Sequence, residues 1–215
     1  MSHREDVVVT GMGVVTSIGC TRETFWNSLI GGVSGVKPIS AFDASGHKTR
    51  IAAEVRGFTP ENWLGHKQIR RMARVSRFAA CAAVEAVRDA GLDLDREDRF
   101  RIGCVVGSAA GDYATVEEQF LKFREKGPGS VSPLTVPKVI PNMPASNVAI
   151  VLGIKGPNLG VATACATGCH AIGTALGILR QGAADVVLAG GAESTVTPFV
   201  LEGYSCMGVL SERND

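Results

Sequence analysis

In "VATACATGCHAIG", residues 161–173, Cys165 falls where a run rich in Val, Ala and Thr gives way to a small-residue helical pattern. Three chemistries are open to such a thiol: packing as a small hydrophobe, pairing with Cys169, or nucleophilic attack. The i, i+4 spacing sets both sulfurs on one helix face, yet a metal needs two further ligands, and His170 projects about 100° around the axis. No metal is expected, and Cys169 reads as a packing residue. Cys165 keeps two readings. Free cysteine is among the most buried residue types. Against that, a side chain at a strand-to-helix turn faces unpaired amides and the positive end of the helix, which favour a thiolate. His170 lies five residues on, about 500° of helical rotation, so it points about 140° away and is a poor base for Cys165.

Two other groups of residues invite a chemical reading. In "VVVTGMGVVTSIG" (7–19), Gly11 and Gly13 follow an apolar run as in a dinucleotide-binding turn. The third glycine position holds Thr16 and no helix opens there, so a structural turn is expected instead. Lys67, Arg70, Arg71, Arg74 and Arg77 gather five cations on one helical segment, which is either a solvated face or a landing surface for an acidic partner. The chain as a whole carries 22 basic and 21 acidic residues, a net +1, and so no field that would draw in nucleic acid or anionic lipid. Six cysteines without a ligand ladder, and a start with only short apolar runs, point to free thiols in the cytoplasm and to no membrane span.

The elements that must position these residues alternate between short β runs and helical patterns, the signature of an α/β layer fold with a largely parallel sheet. "DVVVTG" (6–11) reads as a first strand. "TRETFWNSLIGG" (21–32) reads as a helix capped by Thr21 and ended by Gly31. From residue 67 to 90 the spacing predicts one long helix with Met72, Val75, Ala79, Ala82, Ala83, Ala86 and Val87 as its apolar stripe and Gly91 as its stop. "RIGCVVGS" (101–108) and "DVVLAGG" (185–191) read as buried strands, 112–127 as a helix, and "GVAT" (160–163) as the strand leading to Cys165. Four prolines in "PLTVPKVIPNMP" (133–144) predict a rigid loop. The helix after Cys165 is rich in Gly and Ala, so its stability must come from close packing on all sides.

"GPNLGVATACATGCHAIG" resembles the nucleophile segment of the β-ketoacyl-acyl-carrier-protein synthases. "VVVTGMGVVTSIG", "IGCVVGSAAGDYATVEEQ", "SPLTVPKVIPNMPASNVAIVLGIKGPN", "DVVLAGGAES" and "SERND" resemble the same family in the same order, most closely its elongating type II members. The resemblance implies a thiolase-like α/β fold, with residues 1–215 forming the amino-terminal domain: one αβα half, with a mixed, mostly parallel sheet, of a five-layered αβαβα whole. It implies that Cys165 takes an acyl group as a thioester, its backbone N–H serving as one oxyanion donor. Decarboxylation of malonyl carrier protein then supplies the carbanion for a Claisen condensation in fatty acid or polyketide synthesis. Ala110, Leu134 and Thr135 would line the acyl channel. Lys67, Arg70 and Arg71 would meet acyl carrier protein, and no cofactor is implied. A homodimer, or a chain equivalent to the second half, is the implied protein partner. The family's two histidines, its lysine and its second oxyanion donor belong to that second half. His3, His47, His66 and His170 are poor substitutes. The chain therefore looks truncated, with acyl loading feasible but condensation not, and with an apolar face left bare. A non-catalytic subunit that scaffolds a synthase or its carrier protein is the alternative. A thiolase acting on coenzyme A thioesters fits "TACATG" and "GPN" less well.

Overall fold

The structure, a computed structural model, describes residues 6–215. Its elements are, in chain order, α1 (Arg22–Ile30), β1 (Lys37–Pro38), β2 (Ile51–Ala52), α2 (His66–Arg71), α3 (Arg74–Asp89), β3 (Ile102–Gly107), α4 (Tyr113–Lys126), α5 (Thr135–Val139), α6 (Met143–Leu152), β4 (Asn158–Leu159), α7 (Thr167–Arg180), β5 (Val186–Gly191) and α8 (Pro198–Cys206).

The core is built around β3, whose six residues are all buried, as an unbroken apolar run demands of a strand covered on both faces. Ile102, Cys104 and Val106 pack against Ala79 and Ala83 of α3 and Ala145, Val148 and Leu152 of α6. Val105 points the other way, onto Ala171 and Ala175 of α7. The period of two thus sorts one strand between two helical layers. The sheet runs β4-β3-β5, both pairings parallel, with Cys104 opposite Asn158 and Ile102 to Gly107 opposite Val186 to Gly191. β1 and β2 add a small antiparallel pair apart from it. The expected αβα layering is present.

Several elements differ from the sequence reading. Residues 6–11 form no strand, because among the described residues they have no strand to pair with, and Val8 and Val9 stand 71% and 80% exposed. The chain just beyond lies along α3 instead. The amides of Met12 and Val14 donate to the carboxylates of Asp89 and Glu85, and a Cβ on Gly13 would fall 1.8 Å from the Ala82 carbonyl oxygen. Those glycines serve a close backbone approach rather than a phosphate.

The long helix is two helices, broken at Met72 and Ala73, both extended and both buried. Arg77 reaches back across the break and donates from Nε to the carbonyls of Ile69, which also accepts from the Met72 amide, and of Met72 itself. The stripe survives in α3, but Ala80 and Cys81 are buried as well, in a second cluster with Leu64 and Met72 that covers that flank, and Phe78 is buried edge-on against Phe58. The proline-rich segment is not simply a loop. It contains α5 and the first turn of α6, where Pro144 sits near the N-terminus, a position proline tolerates. "GVAT" is not a strand either, since in that stretch of chain it is Asn158 and Leu159, just before it, that pair with β3. β5 is only half-buried, being the edge of the sheet.

The helix ends agree better. Thr21 caps α1 in a reciprocal box with Thr24, and Gly31 and Gly91 follow the expected terminations, while α4 stops short of the expected 112–127, with Asp112 capping it through Thr115 and Gly127 ending it.

Candidate active site

The carboxyl ends of the parallel strands converge, and that is where open α/β sheets place their chemistry. β3 ends at Gly107, where a Cβ would meet the Thr167 Cγ2 at 2.2 Å and the Val161 carbonyl at 2.4 Å. β5 ends at Gly191, where a Cβ would lie 3.3 Å from the Gly168 Cα. Glycine at both strand ends lets the segment 161–168 settle directly onto the sheet.

That segment is a tight elbow. Thr163 has φ −141° and ψ 42°, and Ala164 adopts φ +51°, the one positive φ outside glycine among the described residues. A 3₁₀ turn over Ala164–Ala166 then feeds α7, which has no side-chain cap. Cys165 stands at the apex of this turn, exposed, two residues before the helix. Its amide donates to no acceptor among the described residues. The packing reading of Cys165 therefore fails here. Cys169 is exposed too, against the expectation that it packs.

The turn is tied together from behind. The Thr163 amide donates to the Thr167 Oγ1 at 2.9 Å, the Thr167 hydroxyl donates to the Ala164 carbonyl at 2.7 Å, and the Ala166 amide donates to the Thr163 carbonyl at 3.2 Å. His170 Nδ1 is hydrogen-bonded to the Thr163 Oγ1 at 2.7 Å. His66 opens α2, His47 binds Glu202 through Nδ1, and His3 lies outside the described residues.

The loop after β3 carries Ala110. Glu193 holds it, accepting from the Ser108 hydroxyl at 3.1 Å and from the Ala109 amide at 2.9 Å. Gly111 has φ +72°, and a Cβ there would touch the Val139 carbonyl at 2.1 Å, so the loop is seated on the end of α5. Leu134 precedes α5 and Thr135 begins it, its hydroxyl donating to the Ser132 carbonyl. All three residues are half-buried.

The five cations do not form one face. Arg74 donates to the Val55 carbonyl and lies over Phe78, and Arg77 serves the helix break. Lys67, Arg70 and Arg71 remain exposed on α2 with no ion pair among the described residues. The remaining cysteines separate by environment. Burial pushes the Cys104 thiol up to about 12, and burial, aided by Cys20 and Glu61, does the same for Cys81. No cluster of three or more His, Cys, Asp or Glu side chains suited to a metal occurs among the described residues.

The Ala164 conformation, the Thr163 ties and the Glu193 anchor have no counterpart in the sequence reading. A positive φ is signalled by Gly or Asn, not Ala, and the other two depend on how distant segments meet.

Similarity to known proteins converges on one family. The family description "Beta-ketoacyl synthase, N-terminal domain" matches residues 4–215. The 3-oxoacyl-[acyl-carrier-protein] synthase 2 of Vibrio cholerae is 41% identical over the whole chain, and that of Staphylococcus aureus strain COL is 40% identical. The chain spans about half of these relatives, 52% of each. Among solved structures, the ishigamide ketosynthase/chain length factor superposes with a TM-score of 0.90 at 31% identity, over 97% of this chain and 52% of its own.

Proposed function

The chain belongs to the β-ketoacyl synthase family, as its N-terminal domain, and from that premise we propose that Cys165 is the nucleophile that accepts an acyl group. Its αβα sandwich is one half of the thiolase-like architecture. The observation that carries the reading is the elbow: an exposed thiol on a strained turn at the mouth of a parallel sheet, with its own amide free to donate.

In this reading the Cys165 thiolate attacks the thioester carbonyl of an acyl carrier protein. Charge gathers on the carbonyl oxygen, which the Cys165 amide stabilises, and the carrier thiolate leaves and takes up a proton. Losing one such donor costs about 3 kcal/mol in acyl-transfer enzymes, so its orientation matters as much as the sulfur's. The second step is the decarboxylative condensation with malonyl carrier protein: carbon dioxide departs, the carbanion attacks the acyl-Cys165 thioester, and the cysteine thiolate is released. The two relatives named as 3-oxoacyl-[acyl-carrier-protein] synthases support that reaction class. Its proposed setting is fatty acid or polyketide synthesis in the cytoplasm. Acid–base groups for this step would come from a polypeptide equivalent to the other half of those relatives, or from a dimer partner. The bare faces of α1, α7 and α8 fit such a cover. Among the described residues no helix is long and apolar enough to cross a membrane.

Ala110, Leu134 and Thr135 are proposed to line the acyl channel, and Lys67, Arg70 and Arg71 to steer the acidic carrier toward Cys165. Steering of this kind acts mainly on the association rate and fades with salt. The test is intact-mass measurement after incubation with acyl-carrier protein, beside Cys165→Ala. A mass increase of one acyl group, absent from the variant, is the expected result. Folded protein that gains no acyl group would refute the nucleophile.

A further inference from the structure

Thr163 is held by three of its own groups at once. Its amide donates to Thr167 Oγ1, its carbonyl accepts from the Ala166 amide, and its hydroxyl pairs with His170 Nδ1 at 2.7 Å. The next residue is Ala164, at φ +51°, and the one after it is Cys165. An L-residue in the left-handed region persists only where its surroundings over-determine it. Two of the three ties lie within the turn and follow from its hydrogen-bonding pattern. The third comes from a residue a full turn into α7, which is itself pinned by Thr174, whose hydroxyl donates to the His170 carbonyl at 2.8 Å.

We propose that His170 is a positioning residue for Cys165: its imidazole locks Thr163, and through Thr163 the Ala164 elbow that presents the thiol. His170 does not reach for the sulfur. The pairing survives in either charge state, since neutral Nδ1 can accept from the hydroxyl while a protonated ring donates to it. The imidazole thus works as a brace rather than as a base or a switch. This inference rests on the reading of Cys165 as a nucleophile.

The experiment is the rate of iodoacetamide alkylation of each cysteine in the whole chain at pH 7.5, followed by peptide mass spectrometry, with exposed Cys206 as internal reference. The thiolate displaces iodide and forms a carbamidomethyl thioether, so no oxidant or partner is required. In the parent chain Cys165 outpaces Cys206. His170→Ala and Thr163→Val each slow Cys165 against Cys206 by about fivefold, the weight of one hydrogen bond. The double variant is no slower than either single one, because both remove the same bond. His170→Asn, whose side-chain amide places a polar atom where Nδ1 stood, restores most of the rate.

A Cys165 that still outpaces Cys206 to the same degree in His170→Ala overturns the brace. Parity of Cys165 and Cys206 in the parent chain overturns the nucleophile reading, and the brace with it. Buried Cys81 and Cys104 report folding. Should His170→Ala expose them to the reagent, Thr163→Val decides: slowing supports the brace and an unchanged rate refutes it.

Discussion

Ala164 shows how much a single torsion angle can carry. A left-handed alanine costs about 1–2 kcal/mol, and a β-branched side chain there costs more because its Cγ atoms crowd the following carbonyl. Ala164→Val is therefore expected to lower stability by about 2 kcal/mol in urea denaturation. Ala164→Gly should change it by less than about 0.5 kcal/mol, since relief of strain is offset by the greater freedom of the unfolded chain. The cysteines offer a second test at this scale. With their thiols pushed up to about 12 by burial, Cys81 and Cys104 should resist a maleimide at pH 8. Cys165, Cys169 and Cys206 should react, and all six should do so in denaturant. Cys165 was legible as a candidate because its place at a turn before a small-residue helix is written in residue types. The Thr163–His170 bond was not, because a seven-residue separation brings two side chains together only after the elbow has folded back.

Among the elements, two kinds of glycine have opposite consequences. Gly13 lies against the backbone of α3, so Gly13→Ala must lift the 11–14 segment off the helix and should cost about 2–3 kcal/mol, as overpacking does. Gly173 faces open space within α7, so Gly173→Ala should raise the melting midpoint, worth about 0.5–1 kcal/mol of helix propensity. Thermal melts of the two variants give shifts of opposite sign. Glu54 governs a different joint, the one between residues 40–41 and the hairpin. Burial works to raise its pKa, but the Ala41 amide, Arg56 and both polar groups of Ser40 outweigh it and hold the carboxyl below its ordinary 4.5. A carboxyl lowered in the folded state stabilises fully above its unfolded value, and that contribution fades as pH falls through the folded one. Glu54→Gln should thus cost about 1–2 kcal/mol at pH 7 and progressively less toward pH 3. The cap Thr21 and the terminating Gly31 and Gly91 could be read directly, because local bonds decide them. The break at Met72 could not. The apolar stripe runs unbroken through it, and only the packing of Leu64 and Met72 on the flank of α3 makes the bend worthwhile.

At the scale of the whole molecule, the order α/β, the parallel sheet and the two helical layers follow from alternating patterns, whereas the missing first strand follows from pairing, which no single segment encodes. Large apolar side chains stand bare on several elements: Trp26 and Ile30 on α1, Ile172 on α7, Phe199 on α8. Such faces seek partners. Ile172→Lys and Phe199→Lys are expected to reduce self-association in sedimentation velocity, while changing stability by less than about 0.5 kcal/mol, as surface substitutions do. β5 adds a directional liability to this general stickiness. Its six residues are in parallel register with β3 on one side, and on the other, among the described residues, it presents unpaired amides and carbonyls over about 20 Å. "VVLAGG" contains no lysine, proline or other gatekeeper of the kind that keeps natural edges from templating one another. Kept concentrated and uncovered, the chain should nucleate fibres from that edge, with a lag that shortens when preformed seeds are added, and thioflavin fluorescence would record it.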